Sequence, residues 1–336
     1  MKAVIPSNGF IKVIEKDIPR IVNPTDAIVR VTCSAICTSD LHIINNNVPR
    51  YIPETILGHE FTGEVINIGD SVNKLRIGDR VAANCITFCG ECWFCKKGFI
   101  NNCINGGWEL GCRIDGGQAE YVRVPYADTG LSIIPDNVSY ENAIFVGDIL
   151  SSGYFAAEGI APNDTVAVIG VGPVGMCAMM CAKHLGAGKI IAIDINKNRL
   201  ESAKAFADFV INPLEDDVER KIKELTKYGA DYVIEAAGNT DSFQTAWKIA
   251  RPNATVFIVA MYEQEQTLPL NIMYGKNLTF KTGGVDAIHC DKLLKLISEN
   301  KISTDFLINK KYDFNNIIEA YKEFSQKDCY KILITL

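Results

Sequence analysis

The sequence predicts an α/β protein of two domains, one β-rich and mostly antiparallel and barrel-like, the other a doubly wound parallel sheet. Three observations carry that expectation. Through about residue 130 the chain consists of short β-rich runs punctuated by Gly, Pro and Asn. From Thr165 it changes to apolar strands alternating with amphipathic helices, the pattern of a parallel sheet covered on both faces. The run Gly170-Val171-Gly172-Pro173-Val174-Gly175 sits at the first strand-to-helix junction of that second region.

In order, the runs at 11–14, 27–32, 63–68, 79–83 and 120–124 read as strands, and the N-terminal residues enter strand-like alternation directly. Residues 140–160 read as one helix of small and apolar residues, with Asp148 inside it. Strands are then expected at 165–170, 189–193, 231–236, 255–260 and 278–282, with helices at 174–185, 198–206 and 240–249. Helices at 291–299 and 315–324 and a strand at 330–335 return the chain to the first domain. The expected division is 1–149 with 287–336 for the β-rich domain, and 150–286 for the inserted cofactor domain.

With 336 residues and 48% apolar content, the chain can bury a core in each domain. A net charge of -6 and a pI near 5.4 provide no basic footprint for nucleic acid. No apolar window is long enough for a membrane span, and the short apolar start is not a signal peptide, so a cytoplasmic location is expected. In that setting twelve cysteines favour metal ligation and buried thiols over disulfides.

The stretch Cys37-Thr38-Ser39-Asp40-Leu41-His42, followed by Leu57-Gly58-His59-Glu60, reads as half of a catalytic metal site. A catalytic zinc takes three protein ligands and keeps a fourth position open. Cys37 and His59 could be two of them, and Ser39 and His42 could relay a proton to water. Asp40 and Glu60 could hold the His59 imidazole in one tautomer. The alternative is a buried thiol and a core histidine on neighbouring strands.

Cys89, Cys92 and Cys95 have two residues between each pair, and Cys103 follows after seven intervening residues. That spacing matches a closed, four-thiolate structural zinc. An iron–sulfur cluster or a disulfide pair is the alternative, although a ferredoxin run has its fourth Cys sooner, with a Pro after it.

In the glycine run, Gly170 allows a tight turn, Gly172 lets the backbone approach a pyrophosphate, and Gly175 packs helix against strand, with Pro173 and Val174 opening the helix; ordinary turn residues or a flavin site are the alternatives. Asp194 ends the next strand, where a carboxylate accepts from ribose hydroxyls and repels a 2′-phosphate, so NAD is expected over NADP. Lys197 and Arg199 are cations close by that partly offset that repulsion. Asp148 has two readings, a third ligand giving a thiolate–imidazole–carboxylate set of zero net charge with the zinc, or an N-cap ahead of 149–157. His184 and His289 read as surface or packing residues. Cys33, Cys85, Cys112, Cys177, Cys181, Cys290 and Cys329 lack ligand spacing and read as small apolar core residues.

Taken together, these motifs resemble the zinc-containing medium-chain alcohol dehydrogenases over essentially the whole chain. The resemblance implies a GroES-like catalytic domain plus a Rossmann domain, with the active site in the cleft between them. It assigns Cys37 and His59 to a catalytic zinc, Ser39 and His42 to the relay, the four-cysteine loop to a structural zinc, and Glu60 to a place behind the metal that enters its coordination transiently. Asp148, in Asp148-Ile149-Leu150-Ser151-Ser152-Gly153, is similar to the third ligand of the branch holding bacterial secondary-alcohol and glutathione-independent formaldehyde dehydrogenases. The secondary-alcohol group commonly lacks the cysteine loop and prefers NADP, with Gly-Ser-Arg where this chain has Asp194-Ile195-Asn196.

The implied activity is NAD-linked interconversion of small primary or secondary alcohols and their carbonyls. Polyols, diols, amino alcohols or hydrated formaldehyde are alternative substrates, and a non-catalytic structural role is a remote one. The resemblance also implies a homotetramer, with runs 256–260 and 278–280 as exposed strand edges.

Overall fold

The hairpin of β1 (Lys2–Ser7) and β2 (Phe10–Glu15) turns at Asn8-Gly9, both at positive φ (49° and 76°). That is the backbone a tight hairpin of right-handed twist requires. The computed structural model describes residues 1–326 and 329–336. The chain forms two units, Met1–Ser151 with Asp286–Leu336, and Ser152–Val285.

In the first unit β3 (Ala27–Ala35) pairs antiparallel with β4 (Phe61–Ile68) and with β6 (Tyr121–Val124). β4 continues to β5 (Arg80–Ala83), and β5 to β7 (Leu131–Ile133). Inward side chains of these strands, among them Val29, Phe61, Val65, Val81 and Val122, make one core.

The single helix expected over 140–160 is interrupted. A helical turn at Tyr140–Ala143 and a 3-10 turn at Ile144–Gly147 are followed by the helix Ile149–Ala157, and Asp148 between them lies outside helical geometry at φ −135° and ψ −88°. The cause is tertiary. Gly147 presses so closely on β5 that a Cβ would stand 1.8 Å from the Ala83 carbonyl oxygen, and its own carbonyl accepts from Cys85 N at 3.1 Å.

The second unit is a six-stranded parallel sheet. Its strands are β8 (Thr165–Ile169), β9 (Lys189–Ile193), β10 (Phe209–Ile211), β11 (Ala230–Glu235), β12 (Ala250–Ile258) and β13 (Thr279–Thr282). They lie in the order β10-β9-β8-β11-β12-β13, so the strand order reverses between β8 and β11. Such a reversal opens a crevice at the carboxyl ends of the strands, where dinucleotides bind in this architecture. Ile169, Ile191, Val233, Phe243 and Val256 belong to its core. Run 256–260 does not supply a free edge as expected, because β12 is paired on both sides, to β11 and β13.

The chain then returns to the first unit. β15 (Lys331–Thr335) adds antiparallel to β3, and β14 (Ile308–Asp313) runs parallel to β15. β7, β10, β14 and the helix Val218–Thr226 are elements beyond those expected from the sequence. No helix among the described residues is long and apolar enough to cross a membrane.

Candidate metal centres and dinucleotide loop

Cys37 precedes the helix Thr38–Ile44, and the Asp40 carboxylate reaches back to accept from Cys37 N at 2.9 Å. This reciprocal cap holds the thiol at the helix start. His59 follows Gly58, whose φ of +98° suits glycine and whose missing Cβ would stand 2.7 Å from Gln118 N and Cγ. Asp148 comes from the helix break. Together they place Cys37 Sγ 3.6 Å and His59 Nε2 3.3 Å from the same Asp148 oxygen, Oδ2.

These distances test whether the residues fit zinc. Ligands at ordinary Zn–S, Zn–N and Zn–O lengths on a tetrahedron stand roughly 3.3–3.6 Å apart, in agreement with the distances found. Glu60 is within the same cluster, all donor atoms lying within 4.8 Å of one another. Electrostatics points the same way. Burial works to lower the His59 pKa, but hydrogen bonding to Asp148 and Cys37 and their negative charge raise it well above its usual value. Burial also works to raise Asp148, and the His59 hydrogen bond and charge hold it well below the carboxylate range. The donors converge on a place that favours positive charge.

Four further residues surround this cluster without having been expected from the sequence. Lys331 Nζ donates to Glu60 Oε1, and both side chains are buried. Gln118 and Tyr321 back Asp40 through side-chain hydrogen bonds. Trp108 lays its ring edge-on to His59, with centroids 5.6 Å apart. Only Lys331, a charge inside the apolar run Tyr330-Lys331-Ile332-Leu333-Ile334, left a visible signal in the sequence. Cys85 is buried, as its reading as a small core residue expects, and it also borders the cluster. Burial raises its pKa well above the usual thiol value, and its Sγ–H points at Asp148 Oδ1, 3.9 Å away.

Ser39 Oγ lies 3.6 Å from Cys37 Sγ, and Ser39 is half-buried. His42 stands on the same helix, half-buried, one turn on.

Cys89, Cys92, Cys95 and Cys103 converge with sulfurs within 4.8 Å of one another. Cys92 and Cys95 Sγ are 3.4 Å apart, and Cys89 and Cys103 Sγ 3.6 Å. Thiolates around one zinc stand roughly 3.8 Å apart, so the loop also fits the metal. Backbone N–H groups of Cys95 and Ile104 lower the Cys92 pKa to about 6 and favour its thiolate, while burial raises the pKa values of Cys95 and Cys103.

In the second unit Gly170 has φ +85°, with its Cβ position 2.7 Å from Ala237 N. A Cβ on Gly175 would stand 2.0 Å from Gly170 O, so helix and strand pack closely there. Gly172 differs, because a Cβ there would meet only Arg199 Nη1, at 3.6 Å. The loop thus keeps one open backbone face, which fits the approach of a pyrophosphate. Pro173 and Val174 begin the helix Pro173–His184. Asp194 ties β9 to the loop, accepting from Val171 N through Oδ2 and from Asn196 N through Oδ1, both at 2.8 Å. His184 is exposed in the last turn of that helix, and His289 is half-buried ahead of the helix Cys290–Ser298.

Comparison with known proteins agrees with this chemistry. The profile of the alcohol dehydrogenase GroES-like domain matches residues 23–136, and that of the zinc-binding dehydrogenases residues 173–298. Zinc-type alcohol dehydrogenase B of Aspergillus flavus is 33% identical over 99% of this chain and 81% of its own. The NADP-dependent isopropanol dehydrogenase of Thermoanaerobacter brockii is 32% identical over 96% of this chain and 95% of its own. Alcohol dehydrogenase TADH from Thermus sp. ATN1 superposes with a TM-score of 0.94 at 34% identity, covering 100% of this chain and 99% of its own. With both domain profiles matched in order and these relatives spanning nearly its full length, the chain belongs to the zinc-containing medium-chain alcohol dehydrogenases, oxidoreductases that use zinc and a nicotinamide cofactor.

Proposed function

We propose that the chain is an NAD-dependent dehydrogenase of small primary or secondary alcohols, working also in the carbonyl-reducing direction. The observation that carries this reading is the convergence of Cys37, His59 and Asp148 beside Ser39. These three residues would hold a catalytic zinc, with Glu60 behind it, and Cys89, Cys92, Cys95 and Cys103 a structural one. Bound at the first site, zinc supplies Lewis acidity that lowers the pKa of a substrate hydroxyl. The nicotinamide supplies the hydride acceptor.

The chain's own residues do the rest. Ser39 Oγ takes the hydroxyl proton and passes it toward His42, which releases it to water. Gly170, Gly172 and Gly175 seat the pyrophosphate at the start of the helix Pro173–His184, and Val174 lines that start. Asp194 favours free ribose hydroxyls over a 2′-phosphate, which supports NAD, with Arg199 beside the loop. A cytoplasmic homotetramer completes the reading. It is supported by the terminal strand β13 and the exposed Leu270, Ile272 and Tyr274 before it.

The test is zinc content of the purified chain, with NAD- and NADP-linked rates on ethanol, 2-propanol and formaldehyde, and light scattering of the same preparation. Two zincs per chain, NAD-linked turnover and a tetramer mass are expected. Cys37→Ser should lose one zinc and all turnover. Full activity in that variant refutes the site, faster NADP turnover refutes the cofactor, and a monomer mass refutes the assembly.

A further inference from the structure

We propose that Gln118 is a positioning residue of the catalytic metal site, the middle of a one-way hydrogen-bond chain from Tyr321 through Gln118 to Asp40, whose free carboxylate oxygen faces His59. The chain determines which imidazole nitrogen faces the cation. Tyr321 OH donates to Gln118 Oε1 at 2.8 Å, and Gln118 Nε2 donates to Asp40 Oδ2 at 3.1 Å. Asp40 Oδ1 then faces His59 Nδ1 at 3.9 Å, and neither atom has a hydrogen-bond partner among the described residues. All four side chains are buried, Tyr321, Gln118 and Asp40 completely.

Chemistry gives this chain a direction. A carboxylate only accepts, so the Gln118 amide must present its NH2 to Asp40, and its oxygen then needs a donor, which the Tyr321 hydroxyl supplies. With an acceptor opposite Nδ1, the His59 proton belongs there. The lone pair of Nε2, the nitrogen nearest Asp148, is left for the metal. Gln118 is itself held in place, since its N donates to Leu57 O at 2.9 Å and its O accepts from Val4 N at 3.0 Å. Its Cγ fills the space beside Gly58. The residue therefore joins the segment before His59 to the helix that carries Asp40 and to the helix Ile317–Phe324.

This inference rests on the zinc site proposed above, and its test separates the two. Zinc affinity is measured by chelator competition for the wild type, Tyr321→Phe, Gln118→Met, Asp40→Asn and the Gln118→Met/Asp40→Asn pair, alongside the Nδ1–H proton signal of His59 by NMR. Gln118→Met should weaken the second-tightest zinc about 10- to 100-fold, the usual range for a residue behind a ligand, and broaden the Nδ1–H signal. The zinc of the four-cysteine loop should stay. Tyr321→Phe, which removes one oxygen, should weaken the same zinc several-fold, and it carries the test if Gln118→Met fails to fold. On Asp40→Asn, Gln118→Met should have almost no further effect. Unchanged affinity in both single variants, or an equal loss on the Asp40→Asn background, overturns the proposal while leaving the metal site intact. A wild type that binds one zinc overturns both.

Discussion

Lys331 Nζ and Glu60 Oε1 form an ion pair in which neither side chain is more than 2% exposed. Burial is the largest influence on Glu60 and raises its pKa to about 7, with Lys331 pulling the other way. Removing the cation alone strands a buried carboxylate beside Asp148. Lys331→Met should therefore cost about 3–5 kcal/mol in denaturant unfolding. Lys331→Met combined with Glu60→Gln should recover most of it, and an additive loss would show that packing, not charge, is at stake.

The glycine loop predicts two different outcomes for one substitution. Gly172→Ala meets only the end of the Arg199 side chain and has ordinary extended backbone at φ −68°. It should leave the melting temperature unchanged and weaken NAD binding at least ten-fold. Gly175→Ala forces a methyl group onto Gly170 O and should lower stability by about 1–3 kcal/mol before any cofactor is added. Calorimetry with and without NAD distinguishes them.

At the foot of the second sheet, Asp231 accepts from Thr165 N at 2.7 Å and from Arg251 Nε at 2.6 Å. Partial burial works to raise its pKa, and the Arg251 and Thr165 hydrogen bonds outweigh it, leaving the pKa lowered. A lowered folded-state pKa gives stability that is present above the unfolded value near 3.9 and is lost as pH falls through the folded one. Asp231→Asn should cost about 0.5–1 kcal/mol at pH 7, a partly exposed pair being well screened. The gap to the wild type should close as the pH falls below the unfolded value and through the lowered folded one. A pH-independent gap would assign the effect to the hydrogen bonds alone.

What the sequence made legible was local. Cys37, His59, the four-cysteine loop and the glycine run each sit in a short motif whose spacing implies chemistry, and the switch from β-rich runs to strand–helix alternation marked both kinds of sheet. Gln118 and Tyr321 are separated by 203 residues and meet only in the fold, so no local pattern could reveal them. The helix expected over 140–160 is interrupted for a related reason. Its composition is continuous, and what breaks it is the approach of Gly147 to β5, a contact between segments far apart in the chain. β7 and β10, at three residues each, are too short for alternation to show.

The two proposed zinc sites also differ in how much chain each must close. Cys89 and Cys103 are 14 residues apart, whereas Cys37 and Asp148 are 111 apart. Closing the longer loop costs more entropy and waits on β3, β4, β5 and the helix break all being in place. During folding the cysteine loop can thus capture metal from a largely unformed chain, while the Cys37 site can be loaded only once the sheet around it exists. Newly made protein short of zinc would accumulate as a folded, half-metallated form whose activity returns on adding the ion, without a second round of folding.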